Sequence, residues 1–179
     1  WAFLLEDESD VAKRNRAKVS NQKQITMRYT DSLRTATVAV FEYMIGNTDW
    51  SVPYLHNIRL FDTGGSRLQP VPYDFDHAGI VEASYARPAE QLGIQSVRQR
   101  LYRGIPYPVA MFQQVFDQFN KLKPQFYALY TNETRLSPAY VKRTLKYLDD
   151  FYATINKPAS VRSEFLKGDQ SGIVIKGLN

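Results

Sequence analysis

The sequence contains no cysteine, which excludes disulfides, thiolate metal sites and cysteine nucleophiles. It also lacks any apolar run of the roughly 18 to 20 residues that a membrane-spanning helix needs, because Arg, Lys, Asp or Gln interrupts each long apolar stretch. We therefore expect a soluble chain with no membrane span. Neither absence indicates a cellular compartment.

The remaining composition is that of an ordinary globular protein. Hydrophobic residues make up 44% and charged residues 23% of the 179 residues, which is enough for one core and predicts a single domain. The net charge of +5 comes from scattered Lys and Arg, apart from one basic run at Lys13, Arg14, Arg16 and Lys18. Scattered basic residues are typical of solvated faces, so we do not expect nucleic acid as a partner.

The first half of the chain predicts short strands around one helix. The run "WAFLL" predicts a buried strand, followed by an acidic turn and a charged stretch compatible with a helix. Between Asp31 and Ile45 an apolar face predicts an amphipathic helix, which Gly46 and Asn47 end; its members are Leu33, Thr37, Val40 and Met44. "NIRLF" and "RLQPVPYDF" flank the turn "DTGGS" and predict a hairpin.

The second half predicts mainly helices. We expect residues 77–106 to form a long loop with one or two short helices. Two helical segments should then follow, divided by Pro124, with aromatic stripes that we interpret as core. Ser137 and Pro138 predict the start of a further helix with an apolar face at Val141, Leu145, Leu148, Tyr152 and Ile155. A short helix is expected around Val161 to Leu166.

Acidic, amide and imidazole side chains are concentrated between Gly46 and Ala86. They occur in a fixed order of helix, loop, hairpin and strand end: Asn47, Asp49, His56, Asn57, Asp74, Asp76 and His77. Phosphoryl transfer needs one carboxylate to orient the attacking hydroxyl, and an amide oxygen with a second carboxylate to hold Mg²⁺. The segment therefore predicts a metal and phosphate site.

Two motifs in this segment resemble those of a known family. "GNTDWSVPYLHN" and "PYDFDHAG" are similar to the catalytic and metal-binding loops in the C-terminal lobe of atypical protein-kinase-like proteins, such as the CotH spore-coat kinases and HipA-like kinases. The resemblance implies an α+β, mainly helical fold in which a small β-hairpin carries both loops. It assigns 1–10 to a hinge and strand, 31–86 to the catalytic and metal-loop region, and 107–167 to a helical subdomain.

The resemblance also implies roles for individual residues. Asp49 would be the catalytic carboxylate, Asn57 and Asp74 the metal ligands, and Asp76 a second acidic ligand held in reserve. The implied cofactors are ATP and Mg²⁺ or Mn²⁺, with a protein as the substrate or partner. Two departures stand out: no His-Arg precedes Asp49, and seven residues rather than four separate it from Asn57, so the loop must bulge.

The front half of a kinase is missing from this sequence. No Gly-rich loop and no strand lysine precede the catalytic motif, and the first residue is Trp1. We therefore expect a fragment of a larger kinase-like protein without its N-terminal lobe. On its own it should bind nucleotide weakly and not catalyse.

Three alternatives remain open at this level. The chain can be a non-catalytic, pseudokinase-like interaction module with a Tyr-rich surface. It can be a phosphohydrolase that uses Asp74 and Asp76 as nucleophile and acid, which requires a doubly wound α/β chain. His56 and His77 can also join the aspartates in a transition-metal site. If the segment around Phe75 is extended, Asp74 and Asp76 point to opposite faces and at most one binds a metal directly.

Overall fold

A computed structural model describes residues 5–167 and shows an α+β fold dominated by helices, as the sequence predicts. All but the last residue of the predicted strand "WAFLL", and the tail from residue 168, lie outside the described residues. The described elements are α1 (Glu8–Arg14), β1 (Lys18–Ser20), α2 (Ser32–Ile45), β2 (Ile58–Asp62), β3 (Gln69–Pro72), α3 (Val109–Thr131), α4 (Pro138–Ile155) and α5 (Pro158–Glu164), with 3-10 turns at Met27–Tyr29 and Glu90–Leu92.

The three strands form an antiparallel sheet in the order β1-β2-β3. The β2–β3 hairpin is confirmed, and the Asp62 carboxylate accepts a hydrogen bond from the Gly64 amide at 2.8 Å in its turn. Strand β3 ends at Pro72, well before the predicted end, so Asp74 lies in a loop and not on a strand. Strand β1 was not predicted, because three residues are too few to show a periodicity.

Helix α2 is the centre of the fold and is capped at both ends, of which the sequence predicts the C-terminal stop at Gly46. The Asp31 side chain accepts from the Arg34 amide at 2.8 Å, and Gly46 ends the helix with a left-handed φ of 71°. The prediction of one apolar face was wrong, however. Leu33 is exposed, and most of the helix is buried because it lies among β3, α3 and α4.

The predicted break at Pro124 was also wrong, since α3 runs without interruption from Val109 to Thr131. Proline removes one helical hydrogen bond, in this case the bond to the Asn120 carbonyl. Packing on both sides of the proline compensates for that loss, with Phe119 and Phe126 stacked at 6.1 Å between ring centroids. Local preference was therefore overridden by tertiary contacts.

The C-terminal helices and the loop before them follow the sequence more closely. Ser137 caps α4 by accepting from the Tyr140 amide at 3.3 Å. The buried face of α4 is wider than predicted, because Thr144, Tyr147 and Phe151 are also buried. The aromatic stripes of these helices belong to one core cluster, as the sequence predicts, and Phe165 just after α5 packs into it. Among the described helices, none is long and apolar enough to cross a membrane.

Candidate functional site

The end of α2 fixes the start of the loop that carries Asp49. Gly46 turns the chain, and the Asn47 amide then donates to the Glu42 carbonyl at 2.8 Å. The Asn47 side-chain oxygen accepts from the Asp49 amide at 3.0 Å. Because Asn47 is buried, these bonds hold the backbone of Asp49 at a defined position below the helix.

The loop after Asp49 folds back on itself, as the seven-residue spacing requires. Ser51 and His56 exchange two backbone hydrogen bonds, of 2.9 and 3.0 Å, which close the bulge. The turn is completed by left-handed backbone at Leu55 and Asn57, with φ of 53° and 50°. The bulge thereby returns the chain to Asp49 just as β2 begins.

Three polar side chains meet at this closure. The Asn57 side-chain nitrogen donates to the Asp49 carbonyl at 2.8 Å and to the Asp49 carboxylate at 3.1 Å. The His56 Nε2 lies 2.8 Å from the other carboxylate oxygen of Asp49. The Asp49 side chain is 13% exposed, so it is held in place and still reaches the surface. Such a carboxylate can orient a hydroxyl group and accept its proton.

The hairpin brings the second acidic segment back to the same place. The Tyr73 amide donates to the Asn57 carbonyl at 3.0 Å, which ties the end of β3 to the start of β2. Burial raises the pKa of Asp74, and the neighbouring Asp76 carboxyl raises it further, with a smaller contribution from Asp49. Asp74 thus shares one electrostatic environment with both other carboxylates.

The condition under which Asp74 and Asp76 would point to opposite faces, an extended segment around Phe75, is not met. Asp74 has a left-handed φ of 58°, so the segment is a turn and not a strand. The turn makes the two carboxyl groups neighbours, which is why Asp76 disfavours the charge on Asp74. A divalent cation would relieve that repulsion, so both residues are candidates for the same site.

Beside the acidic pair lies an open groove of about 360 Å³. Its walls are Leu5, Pro72, Tyr73, Asp74, Phe75, Asp76 and Val81. The Tyr85 hydroxyl donates to Asp76 at 2.9 Å.

A second groove of about 570 Å³ lies between α1 and the hairpin, where Arg59 pairs with Glu8 and packs over the Tyr73 ring. The two grooves share Leu5, Pro72 and Tyr73, so apolar walls adjoin the carboxylates.

The two histidines do not complete a transition-metal site. Across residues 5–167 no three His, Asp or Glu side chains converge as such a site would require. His77 packs against Tyr85 with 5.8 Å between ring centroids, while His56 is bonded to Asp49. A site for Mg²⁺ needs fewer protein ligands, because this ion keeps several waters.

No family model matches the chain, and no curated protein or solved structure is significantly similar to it. The resemblance to kinase-like proteins therefore rests on the two motifs. Any functional conclusion therefore rests on the positions and contacts of the side chains.

Sequence reasoning missed one polar residue of this region, Glu42. It lies in the last turn of α2, is 1% exposed, and makes no side-chain hydrogen bond. Burial raises its pKa to about 8, and the charge of Asp49 acts in the same direction. The available signal was a lone acidic residue in the apolar run from Val38 to Ile45, one turn before the loop.

Proposed function

We propose that residues 31–86 form the catalytic and metal-binding region of an ATP- and Mg²⁺-dependent phosphotransferase of the kinase-like type. The observation that carries this proposal is the bonding of Asp49 by Asn57, with the Asp74 carboxyl in the same electrostatic environment. Asp49 would orient the acceptor hydroxyl and take its proton. Asn57 and Asp74 would hold the cation against the phosphates.

The donor set fits a hard divalent cation. The Asn57 nitrogen is directed at Asp49, and its side-chain oxygen accepts no hydrogen bond from the described residues, so that oxygen is available as a ligand. Asp74 supplies a carboxylate, and Asp76 supplies a second one once its bond to Tyr85 opens. Phosphate oxygens and water would fill the other positions, as is usual for Mg²⁺.

The groove beside the carboxylates supports a nucleotide as the phosphoryl donor. Leu5, Phe75 and Val81 give it apolar surface, and Tyr73 adds an aromatic edge. A base can pack on such surfaces while the phosphates extend toward Asp74. A protein hydroxyl is the acceptor that we propose for the exposed side of Asp49.

The sheet argues against the hydrolase alternative. An Asp-based phosphohydrolase of the doubly wound type places its carboxylates at the ends of parallel strands. In residues 5–167 the sheet is antiparallel and has three strands. The non-catalytic interaction module is kept as an outcome of the experiment below.

Binding of Mn²⁺ and ATP tests the proposal without requiring turnover. We would titrate the chain with Mn²⁺ in the presence of ATP and count bound metal by electron paramagnetic resonance. We expect wild-type binding and a loss of at least about tenfold in affinity in Asp74→Asn, because one charged ligand is removed. Asp62→Asn is the matched control, since Asp62 is an exposed hairpin carboxylate outside the site.

The outcomes separate the candidate functions. Equal affinity in wild type and Asp74→Asn would show that the metal assignment is wrong. Absence of binding at millimolar Mn²⁺ and ATP would contradict the phosphotransferase and favour the interaction module.

A further inference from the structure

Asn47 contacts Asp49 and also lies beside Glu42. The Asn47 side-chain oxygen holds the Asp49 amide at 3.0 Å, while its side-chain nitrogen is buried and makes no hydrogen bond. The Glu42 carboxyl is also buried and has no hydrogen bond. Asn47 lies close enough to lower the pKa of Glu42, yet no full hydrogen bond joins the two groups. The hydrogen bond between Asn47 and Asp49 is therefore formed, whereas the one between Asn47 and Glu42 is not.

The charged groups near the end of α2 include Arg103, which donates to the Thr48 and Trp50 carbonyls on either side of Asp49. Strand β3 has no charged residue, and the buried face of α3 is apolar. Arg100 donates to the carbonyls of Tyr43 and Met44 and packs on Tyr147 of α4, while Glu164 of α5 accepts from the Tyr43 hydroxyl. Arg28 belongs to the 3-10 turn at the opposite end of α2. Of the nearby charges, that of Asp49 raises the pKa of Glu42.

The missing hydrogen bond between Glu42 and Asn47 is consistent with a protonated Glu42. A buried carboxylate without a partner is strongly disfavoured, so this packing stabilises the neutral acid. Once Glu42 loses its proton it becomes a strong acceptor, and the Asn47 nitrogen, whose amide already acts on the pKa of Glu42, is a buried donor without a partner. Closing that bond moves the Asn47 amide, and with it the oxygen that holds Asp49.

We propose that Glu42 is a positioning residue that acts on Asp49 through Asn47 and switches the start of the catalytic loop between two arrangements as it gains or loses a proton. The inference rests on the role proposed above for Asp49. It adds a control element inside α2. With Glu42 protonated, the Asn47 oxygen would hold the Asp49 amide, and ionisation of Glu42 would change the position of Asp49.

Nuclear magnetic resonance of the labelled chain tests this link directly. We would follow the Glu42 carboxyl carbon and the Asp49 backbone nitrogen from pH 6 to pH 9.5, with carbon detection to avoid amide exchange. We expect both signals to shift with one shared midpoint near pH 8, the value to which burial raises the pKa of Glu42. In Glu42→Gln the Asp49 step should disappear. Glu164→Gln is the matched control and should retain the step, because Glu164 contacts Tyr43 on the same helix.

The pH titration of the wild-type protein is enough to overturn the inference. If the Asp49 nitrogen does not follow the titration of Glu42, the link through Asn47 does not exist, whether or not the variant folds. A step that persists in folded Glu42→Gln would also overturn it. The measurement uses neither nucleotide nor metal, so its failure is distinct from a failure of Mn²⁺ and ATP binding.

Discussion

The side-chain nitrogen of Asn57 donates to two oxygens of Asp49, the backbone carbonyl at 2.8 Å and the carboxylate at 3.1 Å. One amide thereby fixes both the backbone and the side chain of a residue that lies eight positions earlier in the sequence. Asn57 directly precedes β2 and adopts a left-handed backbone. Asn57 therefore serves the loop in two separable ways, through its conformation and through its amide.

Replacement of Asn57 should separate these two contributions. Asn57→Gly keeps the freedom to adopt positive φ and removes the amide, so it should lower the free energy of unfolding by about 1 to 2 kcal/mol, the cost of lost hydrogen bonds. Asn57→Ala adds backbone strain and should lose roughly 1 kcal/mol more. Urea denaturation measures both. Equal stability of the two variants would show that the left-handed backbone at position 57 carries no cost.

Gly46 and Gly64 offer a matched pair for close packing. Both have positive φ, of 71° and 79°, but an added Cβ would overlap the Tyr147 hydroxyl at Gly46 and meet no atom within 4 Å at Gly64. Gly64→Ala should therefore cost roughly 1 to 2 kcal/mol, for backbone strain alone. Gly46→Ala should cost a further 1 to 3 kcal/mol or so from overpacking. Thermal unfolding compares the two, and similar losses would mean that Tyr147 moves aside freely.

Arg100 joins the end of α2 to the middle of α4 by bonding three carbonyls. It donates to Tyr43 at 3.0 Å, to Met44 at 3.0 Å and to Tyr147 at 2.6 Å, and its guanidinium lies 3.6 Å from the Tyr147 ring centroid. A lysine cannot reproduce this planar fork, so Arg100→Lys should lower the free energy of unfolding by about 2 kcal/mol.

The control for Arg100 is Arg135→Lys. Arg135 is 86% exposed in its side chain and, among residues 5–167, pairs only with Glu133, so its replacement should change stability by less than about 0.5 kcal/mol. Chemical denaturation of both variants under one condition gives the comparison. A loss at Arg100 no larger than at Arg135 would mean that the three carbonyls find other donors.

Stability should decline from about pH 5 to pH 8 because of Glu42. Its pKa rises from 4.5 to about 8 on folding, so the native state binds a proton that the unfolded state has already released in this window. The stabilising contribution is full below pH 4.5 and is lost as pH rises through 8, at up to about 1.4 kcal/mol per pH unit.

The variant Glu42→Gln isolates this effect. It has no proton to lose at position 42, so the difference in free energy of unfolding between wild type and variant should change with pH across the window. Denaturation at several pH values measures that difference. A difference that stays constant from pH 5 to pH 8 would place Glu42 in contact with water and refute its burial.

Local patterns predicted those parts of the fold that depend on neighbouring residues. The cap at Asp31 was not needed to find α2, because its apolar content and the Gly46 stop were enough. Ser137 and Pro138 located the start of α4, and the double glycine located the hairpin. In each case one or two side chains act on the backbone beside them, so the sequence carries the information in a short window.

Contacts between distant residues decided the rest. The break expected at Pro124 is absent because aromatic packing on both sides holds the helix together. The turn at Asp74 places two carboxyl groups together, where an extended chain would have separated them. The motif identified Asp49, Asn57 and Asp74 as candidates, but only the folded loop shows that Asn57 bonds Asp49 and that the Asp74 and Asp76 carboxyl groups are neighbours.

By itself the sequence determined the helical second half, the hairpin and the segment that carries the acidic and amide residues, because caps, turns and periodicities act over a few positions. Tertiary structure alone decided which side chains touch and which become buried. Glu42 illustrates the difference: an acidic residue on a helix is normally solvated, and only the packing of β3, α3 and α4 around α2 removes it from water and brings its carboxyl to the loop of Asp49.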